Sequence, residues 1–82
     1  MDTCTLALQF NYTKKLDSQG TVWIFNGDGR SDLAQPEPLD EMPGWTRVAG
    51  PLPFEMAGSI HGALKDFFTR SGVTVIDEGI AD

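Results

Sequence analysis

The stretch that most constrains this chain is Pro53–Gly72, PFEMAGSIHGALKDFFTRSG, which reads as its only helix. At about 100° of rotation per residue, Ala57, Ile60, Leu64, Phe67 and Phe68 fall in one arc, the apolar stripe of a helix laid on a sheet. Pro53 suits the first turn, where a missing N–H costs nothing, and Glu55 sits near the positive end of the helix dipole. Arg70 lies in the last turn, and Gly72 can take the left-handed conformation that closes a helix. Burial of Leu64, Phe67 and Phe68, at about 1.5–3 kcal/mol each, makes this stretch the expected main local source of stability.

Gly58 and Gly62 lie one turn apart on a flank of that helix, beside Lys65 and Thr69. Each costs about 1 kcal/mol relative to alanine. Two on one flank suggest that another backbone approaches there. A loop of the same chain, a partner, or simple tolerance of the cost are the three readings.

The chain has 82 residues, enough for one domain near the lower limit for folding without metal, disulfide or partner. Hydrophobic residues make up 40%, with five Phe, two Trp and one Tyr, so a core can be assembled. Twelve acidic residues against six basic give a net charge of −6. That balance argues against direct binding to nucleic acid or to an anionic membrane, and fits docking on a basic protein surface. The single Cys4 cannot close an internal disulfide. No secretory leader pattern and no membrane-length apolar run is visible, so a cytoplasmic protein is expected.

Thr3–Phe10 alternates, with Cys4, Leu6, Leu8 and Phe10 on one side, as in a half-buried strand. Residues 11–16 either continue that strand or form a loop, and Asp17–Gly20 reads as a turn in which Gly20 takes positive φ. Thr21–Phe25, TVWIF, reads as a second, antiparallel strand with large apolar groups on both faces, hence a central strand or one covered on both sides. Asn26–Gly44 is a long loop with three prolines and five acidic residues. Trp45–Val48 reads as a short strand, Gly50–Pro53 as a turn, Val73–Ile76 as a strand and Asp77–Asp82 as an acidic tail. The order β-β-loop-β-α-β predicts a single α+β domain over residues 1–82, with a small, mostly antiparallel sheet of about four strands and the helix on one face.

Candidates for chemistry are sparse. Asn26, Asp28, Asp32 and Glu37 fall at positions 1, 3, 7 and 12 of a calcium loop, but position 5 is Arg30 and position 6 is Ser31 rather than glycine. A solvated acidic turn is expected there. Gly27-Asp28-Gly29 is too short to cradle phosphate. Cys4 falls on an apolar strand face with no base nearby, as a small hydrophobe would. His61, at the edge of the helical arc, suits an interface rim. Trp23 is expected in the core, and Trp45, beside Gly44 at the loop's end, is expected as a surface anchor.

By elimination, a non-enzymatic protein-binding module ranks first, needing no cofactor and no metal. Its expected contacts are Asp28, Asp32, Glu37, Asp40, Glu41 and Trp45 in and beside the loop. Gly58, His61, Gly62 and Lys65 add a second patch on the helix. Self-association through the glycine flank would relieve the small core and make a homodimer. In size, acidity and lack of catalytic residues the chain resembles small phage-encoded inhibitors, among them anti-CRISPR proteins. The resemblance is one of profile across the whole chain, carried by no motif. It implies occlusion of a nucleic-acid-binding or nuclease surface on an effector complex. The rival readings are a small enzyme or ligand-binding module using His61, Cys4 and the loop carboxylates, and a structural subunit of a larger assembly.

Overall fold

A computed structural model describes residues 2–11, 19–31 and 44–81. Four strands and one helix follow in the order β1 (Thr3–Asn11), β2 (Gln19–Asn26), β3 (Thr46–Pro53), α1 (Phe54–Arg70) and β4 (Thr74–Ala81). They form one sheet ordered β3-β2-β1-β4. The β1–β2 and β2–β3 pairs are antiparallel, whereas β4 runs parallel to β1. The fold is α+β as expected, with a mixed sheet. The parallel pair follows from the helix: α1 carries the chain back along the sheet, so β4 starts from the end where β1 starts.

Register assigns the two faces. Leu6 pairs with Ile24, Leu8 with Val22 and Phe10 with Gly20, and this face carries α1. On β4, Val75 lies beside Cys4 and Asp77 beside Leu6, so both share the helix face. The opposite face carries Thr5, Ala7 and Gln9 of β1, with Phe25 and Trp23 paired to Thr5 and Ala7.

The helix is seated by a small-on-small contact. Ala57 is fully buried, and a Cβ built on Gly20 would stand 2.7 Å from the Ala57 Cβ. Gly20 therefore serves close approach of strand and helix, not the positive-φ turn expected of it. Beside it, Phe54 stacks on Phe10, the cross-strand partner of Gly20, with ring centroids 3.8 Å apart. Across the helix, α1 packs against all four strands.

This seat corrects the expected burial. Leu64 and Phe68 are half-buried, and Phe67 is 62% exposed. The reason lies on the helical wheel: Phe54 and His61 are turned towards the sheet, which swings the contact past Ala57 and rolls Phe67 outward. The deepest burial belongs to the strands instead, with Leu6, Val22, Cys4 and Thr5 the largest fully enclosed side chains.

The helix ends as its sequence suggests. Gly72 takes φ +87°, the Ser71 N–H bonds the Phe67 and Phe68 carbonyls, and the Val73 N–H reaches the Phe68 carbonyl at 3.0 Å. Two expectations fail at strand ends. Gly50–Pro53 is part of β3, where Leu52 pairs with Gly20 and Pro53 with Gln19. Asp77 and Glu78 belong to β4, paired with Leu6 and Ala7, rather than to a tail. No helix among the described residues is long and apolar enough to cross a membrane.

The second face has its own apolar cluster of Ala7, Trp23 and Trp45, with Phe25 packed on it. Trp23 is 3% exposed and its Nε1–H donates to Gln9 Oε1 at 2.7 Å, so the buried indole is satisfied. The expectation that β2 is covered on both sides holds.

Candidate functional site

The acidic segment is framed by residues that the fold fixes tightly. After β2, the Thr5 hydroxyl donates to the Gly27 carbonyl at 2.8 Å and accepts the Gly29 N–H at 2.8 Å. Gly29 is pressed against the aromatics: a Cβ there would lie 2.6 Å from the Trp45 ring and 2.9 Å from that of Phe25. On the return side, a Cβ on Gly44 would stand 3.2 Å from the same Phe25 ring. Phe25 and Trp45 pack together at 5.2 Å between centroids. Gly29 on one side and Gly44 and Trp45 on the other, the described residues that flank 32–43, thus lie against one aromatic pair. Asp32, Glu37, Asp40 and Glu41 lie outside the described residues.

Trp45 is part of the Ala7–Trp23 cluster rather than a surface anchor: it is 8% exposed. Its environment follows from Gly29, whose missing side chain leaves room for the indole. The Trp45 Nε1 is buried and has no hydrogen-bond partner among the described residues.

Asp28, also expected at the interface, is exposed and engaged by Arg30. The guanidinium reaches Asp28 Oδ1 through Nε at 3.0 Å and Oδ2 through Nη2 at 2.6 Å, and the Arg30 backbone N–H adds a bond at 3.1 Å. The side-chain bonds from Arg30, then its backbone bond, hold the Asp28 carboxyl below its ordinary range. Arg30, the cation that broke the calcium-loop count, occupies the carboxylate itself. Among the described residues no group of His, Cys, Asp and Glu side chains has the spacing to hold a metal ion.

On the helix, the structure brings two expected residues together through a third. Asp77 of β4 lies 2.9 Å from His61 Nε2 and 3.0 Å from Lys65 Nζ. The histidine is at ion-pair distance, although Nε2 makes no aligned hydrogen bond there. Sequence reasoning missed Asp77 by assigning it to a tail. Its signal was the two-residue step from Val75, which puts both on the helix face of a strand.

Gly58 and Gly62 occupy this same flank, half-buried and exposed respectively, and a Cβ on either would meet nothing within 4 Å. No other part of the described chain approaches them. Among the described residues the close approach expected of these glycines is not found.

Cys4 is fully buried, and burial pushes its thiol pKa up, away from thiolate chemistry. His61 is paired with Asp77, and no hydrogen bond joins it to Cys4 among the described residues. Comparison with known protein families, curated proteins and solved structures found no match.

The surface feature absent from the sequence reading lies on the other flank of α1. Met56 is 55% and Phe67 62% exposed, with Ile60 half-buried and Ala63 exposed between them. The spacing 56, 60, 63, 67 is that of one helical stripe. The sequence reading places Ile60 and Phe67 in the arc that seats on the sheet, and Met56 and Ala63 on no face.

Proposed function

We propose that this domain is a non-enzymatic protein-binding module that presents the 32–43 segment to a basic surface of its target and occludes it. The observation that carries this reading is that the described residues on either side of it, Gly29 and Gly44, both lie against the Phe25–Trp45 pair. Segments held on a rigid frame are the usual place for recognition. Between Ser31 and Gly44 the sequence supplies Asp32, Glu37, Asp40 and Glu41 and no Lys or Arg.

Charge elsewhere supports the same direction. Of the four described Lys and Arg side chains, three are paired within the chain: Arg30 with Asp28, Lys65 with Asp77 and Arg70 with Asp66. Among the described residues that leaves only Arg47 outside an ion pair, in a chain of net charge −6. A basic patch that otherwise holds nucleic acid is the surface this chemistry fits, as in the inhibitors whose profile the chain resembles.

The test compares the wild-type chain with a variant carrying Asp32→Asn, Glu37→Gln, Asp40→Asn and Glu41→Gln. Each is tagged and used for capture from the source cells at low and at high salt, with mass spectrometry of what is retained. The reading expects a stoichiometric protein bound by wild type at low salt, released at high salt and lost in the variant. Equal capture by the variant contradicts it.

A further inference from the structure

Two tryptophans share the cluster on the second sheet face, and they are held differently. Trp23 is 3% exposed, and its Nε1–H donates to Gln9 Oε1 at 2.7 Å. Trp45 is 8% exposed, yet its buried Nε1–H has no acceptor among the described residues. Cζ2 of Trp45 is the ring atom nearest a Cβ built on Gly29, and Cζ2 and Nε1 are bonded to the same ring carbon. The N–H therefore lies on the ring edge beside the turn after β2. The acceptors of that turn are already engaged: the Gly27 carbonyl by the Thr5 hydroxyl, Thr5 Oγ1 by the Gly29 N–H, and Asp28 by Arg30. Ala7, Trp23 and Phe25, which pack around the ring, bring no side-chain acceptor. A buried donor left in this way works against the closed position, because the N–H regains a hydrogen bond in water.

The backbone around Trp45 is built to let the ring go. Gly44, Thr46, Arg47 and Val48 are all exposed, so Trp45 is a buried side chain set in a surface run. It precedes β3, whose pairing with β2 begins at Thr46 and Ile24, so the ring can leave without breaking a strand pair. Gly44 beside it takes φ +83° and can absorb a backbone rotation that another residue would resist. On the opposite side Gly29 places no side chain over the indole.

We propose that Trp45 alternates between this closed position and an open one, and that the open indole is the anchor a protein partner takes. An indole released with its N–H unpaired joins a large apolar ring to a hydrogen-bond donor, the combination that dominates interface hot spots. In the closed position that anchor is withheld, and a partner with an apolar pocket and an acceptor shifts the population towards the open one. The anchor role deepens the binding-module reading above and rests on it, whereas the opening is a property of the chain alone.

Hydrogen exchange of the two indole N–H groups, followed by NMR on the labelled full chain, tests the opening without any partner. The Trp45 Nε1–H should exchange at least about tenfold faster than that of Trp23, while the backbone N–H groups of Val22 and Ile24 stay protected, the mark of local opening rather than unfolding. Gly29→Ala, whose Cβ would stand 2.6 Å from the ring, should quicken the Trp45 exchange further and leave that of Trp23 unchanged. Equal protection of the two indoles in wild type overturns the proposal, as does Trp45 exchange that only keeps pace with the strand amides. The anchor role is read separately, by titrating the protein retained in the capture described above. Gly29→Ala should bind it more tightly, by the factor by which the open population rises, and Trp45→Phe about tenfold more weakly. Unchanged affinity in Trp45→Phe overturns that role.

Discussion

The two sides of α1 solve different problems with different residues. Towards the sheet, the helix is seated through its smallest side chains: Ala57 descends onto Gly20, with Phe54 stacked on Phe10 beside it. On the flank above β3 it keeps Met56 and Phe67 in solvent. Large apolar residues on a helix need not mark the side that folds. Where the sheet provides a glycine, a close small contact fixes the helix, and Met56 and Phe67 take no part in it.

The contrast is broken most strongly at its base. Gly20→Ala places a Cβ 2.7 Å from that of Ala57, inside the β2–α1 contact, and should cost about 1–3 kcal/mol in urea unfolding. An unaltered midpoint would show that α1 is not seated there. The reverse effect is expected on the open flank. Gly62→Ala meets no neighbour and should raise stability by up to about 1 kcal/mol, read from the same transition. Loss of stability in that variant would mean that something does occupy the flank. Smaller still is the effect on monomer stability of Phe67→Asp, expected within about 0.5 kcal/mol of wild type because the ring is exposed. A large loss would place Phe67 in the folding core after all.

The smallest effect belongs to the turn after β2. Because Arg30 lowers the Asp28 pKa in the folded state, its contribution is present at neutral pH and is lost only as pH falls through that depressed value. Between pH 7 and 5 the Asp28–Arg30 pair should therefore persist. Carboxyl carbon NMR should find the Asp28 midpoint below the usual value of about 3.9, returning towards it in Arg30→Gln. An identical midpoint in the two proteins would remove Arg30 as the cause.

Much of the fold was legible because local signals agreed. Alternation marked Thr3–Phe10 within Thr3–Asn11, TVWIF lies inside Gln19–Asn26, and the Pro53 and Gly72 signals bracket Phe54–Arg70. The strand ends were not legible, for opposite reasons. Gly50–Pro53 has turn composition, yet β3 is an edge strand, where proline is tolerated. Asp77 and Glu78 have tail composition, yet Asp77 lies under His61 and Lys65. The glycines were misjudged because sequence reveals the residue but not its neighbour. Gly20 and Gly29 carry the close approaches, to Ala57 and Trp45, while Gly58 and Gly62 carry none. Trp45 looked exposed beside a polar loop, and only the space left by Gly29 explains its burial.

The seating of α1 through Gly20 and Ala57 is tested most directly by amide NMR of the labelled chain, wild type against Gly20→Ala. The account predicts that the largest shifts fall at Phe10, Phe54 and Ala57, while Met56, Gly62 and Phe67 change least. Spectra unchanged around Ala57 would contradict it.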